Sequence, residues 1–548
     1  MSLVRTRESL HKLQPLIVGF FIVFVAGIFI QFNPWSSSQA GAGSPATTLA
    51  RINGQEVPKD VFNQRVRQYS EFMTRGTAIP LEQQASLYQY AWDSILSEYA
   101  QAAAAEANGV RVSDSEAQAE LDRLIEQQVE QIGAGSAPEE KAEIRAQLAA
   151  RVDLESQRRS MLAQRLRDKF TREARPVEVK VAHVLIKTDT RAPAQAERLA
   201  RDIARRARAG EDFGKLASQF SEDPGSKLSG GVAGWASANP PAPPSDPKAK
   251  KDPDAATSFV PEFTAAALRL KPGEVSEPVL STYGWHVIKA LEERSYKPEP
   301  AKGAKPDAKK DQEALDQYKQ QVGDRITQGL FEEYKNRAKV EAVAPWLQGH
   351  LAEQNSNKAM MANITSGKMP SASDRLAPAI KAYSQALQQG GIEAGPPLAY
   401  KLARMYQEAG QNQEAQATLK DYEGRDPEIE MLRGDILEKL GRKTDALAAY
   451  QSASKLAYSN PGVHGQLVDK FKKVGRNDLA EEARKEQARQ LALQAEQEKA
   501  RQAEQQRRQA EMEARARQEA AQNKTSGNAP AGNAPASNAP AGNQPAAP

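Results

Sequence analysis

The chain has 548 residues, of which 74 are Lys or Arg, 70 are Asp or Glu and none is Cys. This length predicts three or four domains at about 150 residues each, and the lack of thiols excludes disulfides, thiolate metal sites and cysteine nucleophiles. A net charge of +4 with basic residues spread along the chain excludes a strong nucleic-acid footprint, and a mean hydropathy of −0.65 excludes a protein with many membrane spans.

The first predicted element is an apolar segment at residues 16–32, whose 17 residues are at the short end of what spans a bilayer as a helix. Basic residues precede it and none follows until Arg51. This bias places residues 1–15 in the cytoplasm and the bulk of the chain across the membrane. The alternative is a cleavable signal peptide, because the residues at 38–40 are Ser-Gln-Ala. We predict an uncleaved single-pass anchor with a small, polar linker at 33–50.

The composition of residues 51–175 predicts an all-helical domain. Segments rich in Ala, Glu, Gln and Arg cover 81–108, 113–133 and 138–175, and Pro or Gly separates them. A later amphipathic helix at 312–342 has an apolar stripe that needs a partner. We therefore expect the chain to leave the helical domain, build a second domain and return to complete the first.

The second domain is predicted at residues 177–294, where β-branched runs alternate with short helices and Gly/Pro turns. The order β-α-α-α-β-β indicates an α/β domain with a small antiparallel sheet. A first strand, VEVKVAHVLIK, carries His183, and a last strand is expected to end with His286. The predicted fold class is therefore multidomain, with an all-helical domain, an α/β domain, a C-terminal α-solenoid and one N-terminal transmembrane helix.

The solenoid is predicted at residues 374–482, after a spacer at 351–373. Asp-Pro and Asn-Pro dipeptides recur there 34 residues apart, with small residues and Tyr at repeated positions, as in tetratricopeptide repeats. A generic Ala-rich bundle is the alternative. Residues 483–522 predict a solvated charged helix, and residues 523–548 a disordered tail.

Several motifs of the α/β domain occur in a fixed order: AHVLIK, FGKLASQFSEDPGS, GGVAGW and VPEFTAAALRLKPGEVSEPVLSTYGWHVIK. Together they resemble the parvulin (rotamase) family of peptidyl-prolyl cis–trans isomerases. The resemblance implies catalytic roles for His183, Asp223 and His286. No metal or cofactor is predicted, because the five histidines are far apart in sequence and only this pair is expected to converge. It implies that substrate binds at Phe259 and Phe263, and the remaining candidates for substrate contact are Ala233, Trp235 and Tyr283.

These residue types suit rotation about an X–Pro amide, whose barrier is about 18–20 kcal/mol. A dry apolar pocket and hydrogen bonds to a twisted amide lower this barrier without a nucleophile. The alternative interpretation is that His183 and His286 only hydrogen-bond to each other inside a small sheet and have a structural role. Family members usually have Leu where this chain has Ala233, and each lost methylene costs about 0.8 kcal/mol of burial. A Pro- and Lys-rich insertion at 236–258 is expected beside the pocket mouth.

The flanking segments also carry a resemblance. ING at 52–54 and LFEEYKNRAKVEA at 330–342 are similar to the chaperone domain of SurA-type periplasmic folding factors. With the anchor, the arrangement is similar to PpiD-type chaperones of the bacterial inner membrane, with the bulk of the chain in the periplasm.

Three functions remain open at this point. The first is a foldase that isomerises X–Pro bonds in unfolded envelope and secreted polypeptides. The second is a holdase with an inactive, substrate-binding parvulin domain. The third is a scaffold whose solenoid binds an envelope protein. The expected partners are unfolded polypeptide clients, the inner membrane and an envelope protein on the solenoid, with no nucleic acid.

Overall fold

The computed structural model describes residues 47–74, 79–133, 137–149, 153–189, 191–240, 254–298, 308–364, 370–390, 394–457 and 460–525. The predicted cytoplasmic segment, the membrane anchor at 16–32, nearly all of the linker and most of the tail lie outside these residues. Among the residues that are described, no helix combines the length and apolarity needed to cross a membrane.

The N-terminal part begins with a hairpin that turns at Asn53 and Gly54, which both have positive φ. Its elements are β1 (Thr48–Ile52), β2 (Gln55–Pro58), α1 (Lys59–Thr74), α2 (Leu81–Ala107), α3 (Asp114–Ile132), α4 (Pro138–Ala149) and α5 (Leu154–Glu173). The helical segment predicted at 138–175 contains two helices, α4 and α5. The Asp153 carboxylate caps α5 by accepting hydrogen bonds from the N–H groups of Glu155 and Ser156.

The prediction that this domain is all-helical is wrong, because a third strand joins the hairpin. Strand β8 (Val340–Ala342) pairs antiparallel with β1, and the sheet order is β2-β1-β8. Asn53 supports the joint with two bonds of 2.9 Å: its N–H donates to the Lys339 carbonyl, and its side-chain oxygen accepts from the Lys339 N–H. A strand of three residues is too short to show a period of its own.

The returning helix α9 (Ala308–Arg337) ends before β8 rather than at residue 342. Its stripe residues Tyr318, Val322, Ile326 and Leu330 are buried, in one apolar cluster with residues of α2, α3 and α5. At Gly323 the backbone of α9 meets α5, since a Cβ there would lie 2.6 Å from Thr171 Cα. Helix α9 thus packs against the N-terminal helices.

The α/β part contains β3 (Val177–Ile186), α6 (Pro193–Arg208), α7 (Phe213–Phe220), a 3₁₀ turn (Lys227–Ser229), β4 (Val232–Ala236), β5 (Ala256–Thr257), α8 (Pro261–Arg269), β6 (Val279–Ser281) and β7 (Gly284–Ser295). The sheet order is β5-β4-β3-β7-β6. The pairs are antiparallel except β4–β5, which is parallel. The glycine-rich segment therefore adds strand β4, which the predicted element order lacks. Helices α6 and α7 cover one face of the sheet, and α8 and α9 cover the other.

Helical pairs follow β8, and the chain divides into two compact units between residues 415 and 416. The first unit ends with α10 (Pro345–Ile364), α11 (Ala372–Gln389) and α12 (Pro396–Glu408), while α13 (Asn412–Leu419) spans the boundary. The second contains α14 (Pro427–Lys439), α15 (Lys443–Leu456), α16 (Pro461–Lys473) and α17 (Asn477–Thr525). The segment predicted as a spacer at 351–373 is mostly helix α10.

The same glycine–tyrosine contact occurs in two of these helical pairs. A Cβ at Gly349 of α10 would lie 2.6 Å from Cδ1 of Tyr383 in α11, and a Cβ at Gly434 of α14 would lie 2.2 Å from Cε1 of Tyr450 in α15. The repeat-like packing therefore starts with α10, earlier than the predicted start at 374. Helix α17 is longer than the charged helix predicted at 483–522, and its first turns are packed on α16.

Candidate active site

The two histidines predicted from the sequence lie side by side on neighbouring strands. His183 is on β3 and His286 is the third residue of β7, near its start rather than at its end. In the antiparallel register His286 faces Leu185, which places the two histidines diagonally. Their Nδ1 atoms are 3.4 Å apart and both side chains are buried.

Asp223 lies in the loop after α7 and reaches the far edge of the His183 ring. Its Oδ2 atom is 3.0 Å from His183 Nε2, and the Ser226 hydroxyl is 2.9 Å from the same nitrogen. Ser226 also donates to the Asp223 carboxylate, whose second oxygen accepts the Gly225 N–H at 3.3 Å. Ser226 is the last residue of the DPGS motif but was not among the predicted site residues.

Ser281 closes the other end of the network. Its Oγ lies 2.8 Å from His286 Nε2 and accepts the Tyr283 N–H at 3.1 Å. One arrangement of protons satisfies all these groups with neutral histidines: Ser281 donates to His286, His286 Nδ1–H donates to His183 Nδ1, and His183 Nε2–H donates to Asp223. Ser281 was also absent from the predicted site.

The charge states follow from burial. Burial lowers the pKa of His286 to about 3, and the neighbouring His183 adds to this shift. Burial also lowers the pKa of His183, although Asp223 opposes it. Burial acts to raise the pKa of the Asp223 carboxyl, but the hydrogen bonds from Ser226, His183 and Gly225 outweigh it, so that pKa is below its ordinary value. At neutral pH the network is one carboxylate joined to two uncharged imidazoles.

Helix α8 supplies an aromatic wall beside the histidines. The ring of Phe263 meets both imidazoles edge to face, with centroids 5.3 Å from His183 and 5.4 Å from His286. Phe259 stacks on Phe263 at 4.4 Å. Ala233 of β4 is half-buried and packs against the cluster that contains Phe263. The structure thus brings together His183, His286, Asp223, Phe263 and Phe259, with Ala233 against the same cluster.

Trp235 and Tyr283, which were also predicted to contact substrate, are placed differently. The Trp235 ring is buried beside two cations, with the Arg294 guanidinium 4.2 Å and the Lys180 ammonium 5.7 Å from its centroid. Tyr283 is 63% exposed in the β6–β7 turn, where its backbone N–H bonds Ser281. Trp235 is therefore part of the sheet's packing, and Tyr283 is a surface residue next to the site.

Two local features hold the loop that carries Asp223. Gly231 has φ +84°, and a Cβ there would lie 2.6 Å from the His183 carbonyl oxygen, so the close approach of this loop to β3 requires glycine. The Gly231 carbonyl accepts the His183 N–H at 2.8 Å. Next to Asp223, the Glu222 carboxylate accepts the Lys187 N–H at 2.7 Å and pairs with Arg191 at 2.6 Å. These bonds fix the loop on both sides of Asp223.

The described start of the 236–258 insertion lies away from the histidines. Ala236 pairs with Val179 of β3, four residues before His183, which is about 13 Å along a strand. The carbonyl of Ala238 accepts a hydrogen bond from Arg325 of α9 at 3.2 Å. The insertion therefore leaves the sheet beside α9, and its expected place beside the pocket mouth does not hold for this end.

Three family models match the chain. Residues 183–292 match the PPIC-type PPIASE domain, residues 8–134 the SurA-like N-terminal domain, and residues 305–476 a tetratricopeptide repeat-like domain. These matches confirm the predicted resemblance to parvulin-type rotamases with a SurA-like helical part and repeats. The third match begins well before the predicted solenoid, as does the repeat-like packing of α10.

Known proteins match over parts of their length. Chaperone SurA of Pseudomonas aeruginosa is 40% identical over 119 residues, which are 22% of this chain and 24% of that protein. Foldase protein PrsA 3 of Bacillus cereus is 30% identical over 196 residues, 34% of this chain and 57% of that protein. A crystal structure of peptidylprolyl isomerase (PrsA) from Bacillus anthracis is 18% identical with a TM-score of 0.18, covering 44% of this chain and 94% of that chain. The chain thus spans about a quarter of the length of SurA.

Proposed function

We propose that this protein is a foldase that catalyses cis–trans isomerisation of X–Pro bonds in unfolded polypeptides. The observation that carries the proposal is the position of Phe263, whose ring stands edge-on against both His183 and His286. The aromatic wall and the hydrogen-bonded histidine pair lie next to each other. A prolyl amide that twists needs both an apolar surface for its ring and polar groups beside its carbonyl.

The chemistry needs no covalent step. A trans or cis amide is planar, and its rotation passes through a twisted state in which conjugation is lost. The proline ring would lie on Phe263 and Phe259, out of water. The hydrogen-bond network from Asp223 to Ser281 would hold both histidines in one protonation state. The polar groups of the site would then need no reorganisation while the amide twists. A site that fits the twisted amide better than either planar form lowers the barrier.

The SurA-like helical part supports a role on unfolded clients rather than on folded substrates. We propose that the foldase acts in the bacterial periplasm, held to the inner membrane by residues 16–32, with residues 1–15 in the cytoplasm. The charge bias around the apolar segment supports this orientation. The repeat-like helices from α10 onward would bind an envelope protein.

Proline-limited refolding of a reference protein tests the enzyme directly, because the uncatalysed phase lasts tens to hundreds of seconds. The full chain, kept in detergent, should accelerate that phase at substoichiometric concentration. A His286→Gln variant should bind unfolded protein as the parent does but lose most of the acceleration. Unchanged refolding kinetics with retained client binding would contradict the foldase.

One observation favours the second function, a holdase. Ala233 occupies the position where related domains usually carry Leu, and it presents only a methyl group to the aromatic cluster. A pocket with less apolar surface binds proline more weakly. The refolding assay separates the two functions, because a holdase slows aggregation without changing the rate of the proline-limited phase.

A further inference from the structure

Helix α9 is packed between two other helices, and a glycine marks each contact. A Cβ at Gly329 would lie 2.1 Å from the Pro261 carbonyl oxygen and 2.4 Å from Ala265 Cβ, both in α8. A Cβ at Gly323 would lie 2.6 Å from Thr171 Cα in α5. At 3.6 residues per turn, the two glycines point to different sides of α9. One side therefore meets the helical part and the other meets the helix that carries the aromatic wall.

Helix α8 has little freedom of its own. Its residues from Glu262 to Leu268 are all buried, so this short helix is enclosed between the sheet and α9. Phe263 faces the histidines, while Ile326 and Leu330 of α9 belong to the same apolar cluster as Phe263. The position of the aromatic wall is set from behind by α9.

The C-terminal end of α9 adds polar contacts near the site. The Asn336 side chain donates to Glu262 at 2.7 Å, one residue before Phe263. Arg337 donates to the Pro278 carbonyl, and its guanidinium lies 4.9 Å from the ring centroid of Trp285, the residue before His286. This end of α9 therefore contacts the first turn of α8 and the strand that carries a catalytic candidate.

We propose that α9 positions the proline wall, with Gly329 and Asn336 as positioning residues that set the distance of Phe263 from the histidine pair. The proposal rests on the proposed function for its ligand, a prolyl peptide. If α8 is pushed away from α9, the apolar surface for the proline ring moves, whereas the hydrogen bonds among Asp223, His183 and His286 do not depend on α8. A loss of apolar contact shared by the ground and transition states raises KM and leaves kcat unchanged.

Two alanine substitutions in the full chain test this proposal as a matched pair. Gly329→Ala and Gly323→Ala gain the same helix propensity in the same helix, and each places a methyl group against a neighbouring backbone. The probe is a Leu-Pro tetrapeptide, which is too short to span both domains. Gly329→Ala should raise the KM and the Kd about five- to tenfold with kcat within about twofold. Gly323→Ala should change none of these constants beyond about twofold.

A second variant keeps the test decisive if Gly329→Ala fails to fold. Asn336→Ala removes only the bond to Glu262 and should raise KM and Kd about threefold. Equal effects of the two glycine variants, or an unchanged Kd in both Gly329→Ala and Asn336→Ala, would overturn the positioning role. If the parent binds the peptide without turning it over, the isomerase proposal fails while the Kd values still decide the role of α9. If the parent does neither, both proposals fall.

Discussion

The Oγ atom of Ser281 lies 2.8 Å from Nε2 of His286 and ties the histidine pair to the β6–β7 turn. Without this hydroxyl, His286 would have a buried ring nitrogen with no donor, and its tautomer would no longer be fixed. The whole chain of hydrogen bonds to Asp223 depends on that tautomer. A substitution at Ser281 therefore tests the network as directly as a substitution of either histidine.

Ser281→Ala should therefore reduce kcat for a prolyl peptide about tenfold, which corresponds to about 1.4 kcal/mol. The free energy of unfolding should fall by about 1–2 kcal/mol, because a buried acceptor loses its partner. Peptide turnover and chemical denaturation measure the two effects. Ser281→Thr keeps the hydroxyl and serves as control. A parent-like kcat in Ser281→Ala would show that the tautomer is irrelevant to the rate.

The histidine pair should make stability depend on pH in a defined direction. Both imidazoles have a pKa below the ordinary 6.5 because they are buried. The unfolded chain thus binds more protons than the folded chain between about pH 3 and pH 6.5, and stability is lost as the pH falls through that window. The parent's stability advantage over His286→Gln should be constant above about pH 6.5 and shrink below it. Thermal melts of both proteins across this range measure it, and a constant difference would refute the buried neutral pair.

Ala233→Leu should improve substrate binding, because it adds apolar surface against the Phe259 and Phe263 cluster. At about 0.8 kcal/mol per buried methylene and partial burial, the gain is about 1–1.4 kcal/mol, or about a five- to tenfold lower KM. Val232→Asp is the control, since Val232 is 41% exposed and should not affect KM. Steady-state kinetics with a Leu-Pro peptide decides the matter, and a higher KM in Ala233→Leu would mean that the pocket is already full.

The proposed anchor predicts how the protein behaves in membranes. Burial of residues 16–32 is apolar, so high salt and carbonate should leave the protein in the membrane fraction. Intact-mass measurement of the purified protein should find the apolar segment retained. A mature N-terminus at Gly41 would instead establish a cleaved signal peptide.

Sequence motifs predicted the histidines and the aspartate of the site, but not the serines that hydrogen-bond to them. His183, Asp223 and His286 sit in motifs whose order is distinctive, and the structure brings them within hydrogen-bond range. Ser226 and Ser281 were missed because a lone serine, in a turn or at the end of a strand, carries no sequence pattern of its own. Trp235 lies in the same motif as Ala233, but the motif does not show that its ring is buried beside Arg294 and Lys180.

The fold, too, was predicted well where a segment has a pattern of its own and poorly where it depends on distant contacts. Long helices with clear periods were predicted within a few residues. Strand β8 and the first solenoid helix, α10, were not predicted, because both are defined by contacts with residues distant in sequence. Strand β8 pairs with β1, and α10 packs on α11 through the contact of Gly349 with Tyr383.

The pairing of β1 with β8 also dictates an order of events during synthesis. Asn53 and Lys339 are 286 residues apart, and at about 5–20 residues per second the ribosome needs roughly 15–60 s to make the chain between them. The hairpin must wait for its third strand throughout that time. Meanwhile strands β3 to β7 are complete and free to pair among themselves. The strands of the α/β part are therefore all made before the helical part that surrounds them in sequence can complete its own sheet.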